Sequence, residues 1–196
     1  MKIAIIKYNA GNIRSMAFAM ERLGIDYSIT DNQEEIKKAD KVIFPGVGEA
    51  RSTMDYLQAN KLDLLIKDLK QPVLGVCLGM QLMCAYSEEN DTKCLGIFDD
   101  TVKQFIPKNG EKVPHMGWNS IALSNSWIDT SLDGAYMYFV HSYYVPVNQH
   151  TAAISDYIQP FSAALRKDNF YAVQFHPEKS ASAGEDVLRS FITIQS

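Results

Sequence analysis

Pro72-Val73-Leu74-Gly75-Val76-Cys77-Leu78-Gly79-Met80-Gln81 runs from a short apolar stretch through a glycine-flanked cysteine into Gln81-Leu82-Met83-Cys84-Ala85-Tyr86, which reads as helix. A cysteine with glycine two residues away on each side, set between strand and helix, has the layout of a nucleophile elbow. Such a turn forces unusual backbone angles on its central residue. The flanking glycines let neighbouring backbone approach where a Cβ would collide. The helix start aims free N–H groups and a partial positive charge at the sulfur, which favours thiolate over thiol. A nucleophilic Cys77 makes the protein an enzyme and requires a base and an oxyanion site from elsewhere in the chain.

Before the elbow, β-rich runs alternate with helical patterns. Residues 2–7 read as a strand. Residues 11–23 read as a helix with Ile13, Met16, Ala17, Met20 and Leu23 at three- and four-residue steps, closed by Gly24. A short strand at 26–30, a polar helix at 33–39, an apolar strand at 42–44 and a helical stretch at 52–69 broken near Asn60 lead to the strand at 73–76. This alternation predicts an α/β fold with a central, mostly parallel sheet flanked by helices. The second half adds β-rich segments at 97–106, 136–144, 151–154, 162–166 and 170–175, expected as mixed or antiparallel strands, and a helix at 184–192 closes the chain. Without an internal repeat or linker, residues 1–196 read as a single domain. Ligands of open α/β sheets bind at the carboxyl ends of strands, where the loops 8–12, 45–48 and 77–79 converge.

The chain has 196 residues with 46% hydrophobic and 21% charged side chains, an ordinary globular composition. A net charge of −4 and the lack of a basic stretch argue against a nucleic-acid partner. No apolar run approaches the roughly 18–20 residues that span a bilayer, and residues 1–7 are too soon interrupted for a signal peptide. Three cysteines, Cys77, Cys84 and Cys94, cannot all pair, which fits free thiols in a reducing cytoplasm. Their spacing is not that of a zinc site, and no metal or cofactor is expected. Cys84 falls about two helical turns after Cys77 and reads as core. His115 and His141 lie in turn or strand settings without a metal-like companion, with His141 a candidate for lining the pocket. His150 is expected to face solvent.

Val173-Gln174-Phe175-His176-Pro177-Glu178-Lys179-Ser180 supplies the base. Pro177 breaks the strand and leaves His176 at its end, with Glu178 placed to fix the imidazole tautomer and raise the basicity of the other ring nitrogen. Phe44-Pro45-Gly46-Val47-Gly48 follows a strand, and its glycines allow backbone N–H groups to turn toward a small anion. One of these, with the N–H of Leu78, would make an oxyanion hole. The Walker spacing and its lysine are absent, so this is not a phosphate loop.

The elbow together with Phe175-His176-Pro177-Glu178 resembles the class I, triad-type glutamine amidotransferases. Within them the nearest likeness is to the glutaminase subunits of imidazole glycerol phosphate synthases. That likeness is carried by Tyr8-Asn9-Ala10-Gly11-Asn12-Ile13-Arg14-Ser15, by Pro45-Gly46-Val47-Gly48 in place of the usual Pro-Gly-Gly, by Pro114-His115-Met116-Gly117-Trp118-Asn119, by Tyr138-Phe139-Val140-His141-Ser142-Tyr143 and by Lys179-Ser180. It covers essentially the whole chain. It implies hydrolysis of glutamine through a Cys77 thioester, with His176 as base then acid and Glu178 orienting it. The oxyanion hole falls to Leu78 and to Val47 or Gly48. Gly46, Gly48, Gln81, Glu89, Ser142 and Tyr143 would bind substrate. The partner implied is a (β/α)8-barrel cyclase subunit that receives the ammonia and makes imidazole glycerol phosphate and AICAR in histidine biosynthesis. Asn12, Met116, Trp118, Tyr138 and Lys179 are the candidates for that interface and passage. Val47 would hinder a peptide flip, leaving the hole incomplete until the partner binds. Three alternatives share these residues: another Cys-His-Glu amidotransferase or amidase, a paralogous subunit feeding ammonia to a different synthase such as one aminating a surface sugar, and a non-catalytic module of the same fold.

Overall fold

The computed structural model describes residues 1–8 and 13–195. An eight-stranded sheet runs through both halves of the chain. Its spatial order is Asp26–Thr30, Lys2–Ile6, Lys41–Phe44, Val73–Val76, Phe170–Val173, Gln159–Lys167, Thr151–Tyr157 and Ala122–Leu123. The first five strands are parallel and the last three join antiparallel. Alternate residues of one strand feed two cores: Ile3 and Ile5 face one side, Ala4 and Ile6 the other. A sheet buried on both faces explains why these strands read as unbroken apolar runs.

Helices Ile13–Arg22 and Ala181–Thr193 cover one face, where Met16, Met20, Val187, Leu188 and Phe191 are buried. Helices Gln33–Lys38, Ala50–Ala59, Leu62–Asp68 and Leu78–Met83 cover the other. The break expected near Asn60 falls at Asn60 and Lys61, the latter in the left-handed region at φ 56°. Asn32 and Glu49 cap the helices that follow them, each accepting from two backbone N–H groups.

Two expectations need correction. The helix after the elbow is Leu78–Met83, and Cys84–Ser87 is a strand of a separate four-stranded sheet with Thr92–Lys93, Phe98–Gln104 and Tyr143–Tyr144. Cys84 is fully buried as core, but by strand pairing with Phe98 rather than two helical turns below Cys77. The segment His115–Ser120 is also a strand. It pairs antiparallel with Tyr136–His141 to form an outer hairpin-like ribbon, with His115 directly opposite His141. Residues 9–12, and with them the interface candidate Asn12, lie outside the described residues.

Candidate active site

Three adjacent parallel strands, Lys41–Phe44, Val73–Val76 and Phe170–Val173, end side by side and send out the oxyanion-loop candidate, the elbow and the His-Pro-Glu segment. At the elbow Cys77 has φ 54° and ψ −109°, a sparsely populated conformation for a residue with a Cβ. Its N–H is held by Val173 O at 2.8 Å. The turn exists because backbone packs on backbone. A Cβ on Gly79 would lie 2.1 Å from Phe44 O, and one on Gly46 would lie 2.2 Å from Gly79 N.

His176 follows the strand Phe170–Val173 and precedes the turn Pro177–Lys179. Its Nδ1 meets Glu178 Oε1 at 2.8 Å, both side chains being almost fully buried. Burial alone would depress the imidazole. The Cys77 charge, a hydrogen bond to that sulfur and the Glu178 carboxylate outweigh it and raise His176 to about 10. At neutral pH the imidazole is therefore protonated. The sulfur also lies 3.6 Å from Gln174 Nε2 and 3.8 Å from Val140 O.

A cavity of about 330 Å³ opens over these groups, a size suited to a small ligand. Gly46, Val47, Gly48, Leu78, Gln81, Glu89, Ser142 and Tyr143 all line it, as do Cys77, His176, His141 and Lys179. Glu89 faces it while holding the N–H of Ala50 at 2.8 Å, and burial raises its carboxyl. Its neighbour Glu88 instead accepts from Gln104 N. Gln81 donates to Tyr143 O at 3.0 Å and to Gln174 Oε1 at 2.9 Å.

Of the interface candidates, Met116 and Trp118 are 64% and 53% exposed, Lys179 is exposed and Tyr138 half-buried. Trp118 and Tyr138 are cross-strand neighbours in edge-to-face contact at 5.9 Å. The same strand is stitched inward: His176 N–H donates to Tyr138 O, Tyr138 N–H to Ser180 Oγ, and Ser180 Oγ–H to His176 O.

The sequence places loop 8–12 at the site and His141 at the pocket, but the contacts that Tyr8 and His141 make escape it. The Tyr8 hydroxyl donates to Pro45 O, and the Val47 N–H is directed at the same phenol oxygen. Burial and then the Cys77 charge push this phenol up. Position at the end of the first strand is the one available signal. His115 and His141 form a buried pair at 3.0 Å, and His141 Nδ1 meets Tyr143 O at 2.7 Å. Burial holds them down at about 4 and about 3, so both rings are neutral. His150 is half-buried against the Phe98 ring rather than fully solvent-facing. Among the described residues, no cluster of His, Cys, Asp or Glu is arranged to hold a metal ion.

Fold and elbow define a class: an α/β protein displaying a cysteine at the strand-to-helix turn of its central sheet. The model of the class-I glutamine amidotransferase family matches residues 4–194, and the chain belongs to that family. It is 60% identical over 196 residues, 99% of this chain and 100% of the relative, to the imidazole glycerol phosphate synthase subunit HisH of Bacteroides fragilis strain YCH46. With HisH 2 of Campylobacter jejuni strain RM1221 it shares 44% identity over 98% of each chain. The fold matches the crystal structure of a glutamine amidotransferase with a TM-score of 0.75 at 15% identity, covering 96% of each chain. No described helix is long and apolar enough to cross a membrane.

Proposed function

We propose that this chain hydrolyses glutamine to glutamate and ammonia and passes the ammonia to a cyclase subunit, as the glutaminase subunit of imidazole glycerol phosphate synthase in histidine biosynthesis. The observation that carries the chemistry is the placing of Cys77 against a protonated His176 at the elbow, backed by Glu178 and opening on one cavity. Full-length similarity to synthase subunits carries the pathway. Residues 1–196 act as one domain, supported by a single sheet that draws strands from both halves. Its place of work is the cytoplasm, in keeping with three free cysteines.

The Cys77 thiolate attacks the carboxamide carbon, and the carbonyl electrons move to oxygen beside the Leu78 N–H. Collapse breaks the C–N bond as His176 gives its proton to the departing nitrogen, leaving a γ-glutamyl thioester. Neutral His176 then takes a proton from water, which adds to the thioester and expels the thiolate. Glu178 holds the ring in one orientation through both steps. Glu89 binds the substrate ammonium, and Gln81, Ser142 and Tyr143 shape the rest of the amino-acid end. With the Val47 N–H engaged by the Tyr8 hydroxyl, the hole is left incomplete in the isolated chain. A cyclase barrel seated on Met116, Trp118, Tyr138, Lys179 and Asn12 completes it and keeps ammonia from water.

The test is capture of the chain's partner from its native cell, followed by a glutaminase assay with and without that partner. A cyclase and partner-dependent glutamate release are expected. A captured synthase for another acceptor would overturn the pathway, and full activity without partner would overturn the incomplete hole.

A further inference from the structure

Gln174 is fully buried one residue beyond the strand Phe170–Val173, and its backbone N–H still donates to Ala163 O at 2.8 Å. Its amide orientation is dictated from outside. The Tyr143 carbonyl can only accept, and it receives Nδ1–H of His141 and Nε2–H of Gln81. That assigns the Gln81 nitrogen, whose second hydrogen goes to Gln174 Oε1 at 2.9 Å. The Gln174 NH2 is left facing Cys77, with Nε2 3.6 Å from Sγ.

The sulfur thus has neighbours of opposite kinds. Val140 O only accepts and suits a thiol S–H, whereas the Gln174 N–H only donates and suits a thiolate. We infer that Gln174 is a further catalytic residue: its side-chain N–H donates to the Cys77 thiolate, keeping the sulfur ionised and aimed. The inference rests on the glutaminase reading above. On acylation the sulfur lone pair forms the S–C bond and the Gln174 contact weakens. On deacylation the S–C bond breaks, the electron pair returns to sulfur, and the same N–H receives it. Hydrogen bonds to an ionised acceptor are about twice as strong as neutral ones, so the donor favours the leaving thiolate over the thioester. Gln81 is the positioning residue behind it.

The titratable and charged groups around the sulfur are His176 with Glu178 behind it, Tyr8 from the first strand and His141 beyond His176, while Glu89 and Lys179 line the shared cavity. None of them is altered by replacing Gln174. The experiment is the pH dependence of iodoacetamide alkylation at Cys77, read by mass spectrometry on the intact chain. Gln174→Glu keeps an acceptor for Gln81 and, once ionised, has no donor to offer the sulfur. Gln174→Met removes both at similar size. The alkylation midpoint is expected to rise by about one pH unit in Gln174→Met and further in Gln174→Glu. With the partner present, kcat should fall about tenfold at little-changed KM. An unshifted midpoint in a variant with wild-type melting overturns the inference.

If neither variant folds, nitrogen-15 NMR of the unaltered chain decides. The Gln174 side-chain amide resonance should follow the Cys77 titration and lose that dependence in Cys77→Ala. A resonance indifferent to the titration overturns the inference equally. Alkylation reads the thiolate whatever the substrate. A shifted midpoint without glutaminase activity therefore removes the functional reading alone, and an unshifted one with activity intact removes the role of Gln174 alone.

Discussion

Around Cys77 the chain supplies its own partners: His176 and Gln174 meet the sulfur, Glu178 backs the imidazole, and Gly46 and Gly79 close backbone against backbone. Across the same cavity the outer ribbon of His115–Ser120 and Tyr136–His141 is finished on one side only. Its inner face buries His115, Met137, Phe139 and His141, while Met116, Trp118 and Tyr136 stand more than half exposed. This is the apolar face to which the proposed function assigns the partner. Yet the ribbon is not detached from the chemistry. The backbone of Tyr138 bonds to His176, and the Val140 carbonyl reaches the sulfur. The reactive pair is built inside the chain, while the strand that steadies it belongs to a ribbon with an exposed apolar face.

The comparison breaks first at the sulfur. Cys77→Ala should lower glutamine-dependent synthesis by on the order of 10⁴-fold or more, while added ammonium still drives the cyclase. Rates with each nitrogen source, on the same complex, give the answer. Loss of both would mean that the change acts on the fold or the interface and not on the chemistry.

Next comes the backbone contact that makes the elbow. Gly79→Ala places a Cβ 2.1 Å from the Phe44 carbonyl, where no flexible side chain can yield. Overpacking typically costs 1–3 kcal/mol, and a clash with backbone belongs at or above the upper end, about 3 kcal/mol. Urea unfolding of the isolated chain measures it. The loss should be the same with or without partner, since the Gly79–Phe44 contact lies wholly within the chain.

The two regions are also unequally legible from sequence. Val42-Ile43-Phe44 and Val73-Leu74-Gly75-Val76 declare themselves because a sheet covered on both faces demands continuous apolar side chains. Cys77 and His176 stand at the ends of such strands, so their convergence follows from parallel topology alone. His115–Ser120 has no comparable signature. It mixes exposed Met116 and Trp118 with Gly117 at φ 137°, and only one of its faces is buried. Cys84-Ala85-Tyr86 reads as helix because an apolar segment of that length carries no clear period, and pairing with Phe98–Gln104 decides it for strand. Gln174 looks like one more strand residue. Its importance comes from an amide orientation fixed by Tyr143 and Gln81, which no local pattern encodes.

Trp118→Ala sharpens the comparison from the open side. An aromatic covered by a partner is the usual kind of hot spot, so if the proposed interface holds, truncation should weaken partner binding by about 2 kcal/mol, roughly 30-fold. The isolated chain should melt as before, because the side chain removed is mainly wet. Calorimetric titration against the cyclase and a melting curve of the free chain together make the measurement. A lowered melting point with unchanged affinity would place Trp118 in the fold and leave the ribbon without its assigned partner.

The smallest effect tests how the inner face of that ribbon is held. His115 and His141 are neutral in the folded chain, at about 4 and about 3, because burial disfavours their charge, whereas an unfolded histidine titrates near 6.5. Their folded values are depressed, so their contribution is present above about 6.5. It is lost as pH falls toward the folded values, since the unfolded chain takes up protons first. His115 Nδ1–H donates to His141 Nε2, whose other nitrogen donates to Tyr143 O, so a proton added to the pair turns an acceptor into a donor facing a donor. The two depressed rings together cost on the order of 3 kcal/mol between pH 7 and pH 5. His115→Gln keeps a donor for His141 and removes one titrating ring. Urea unfolding across that range should then show about half the acid slope of the parent chain. An unchanged slope would move the acid sensitivity away from the ribbon and onto the carboxylates elsewhere in the fold.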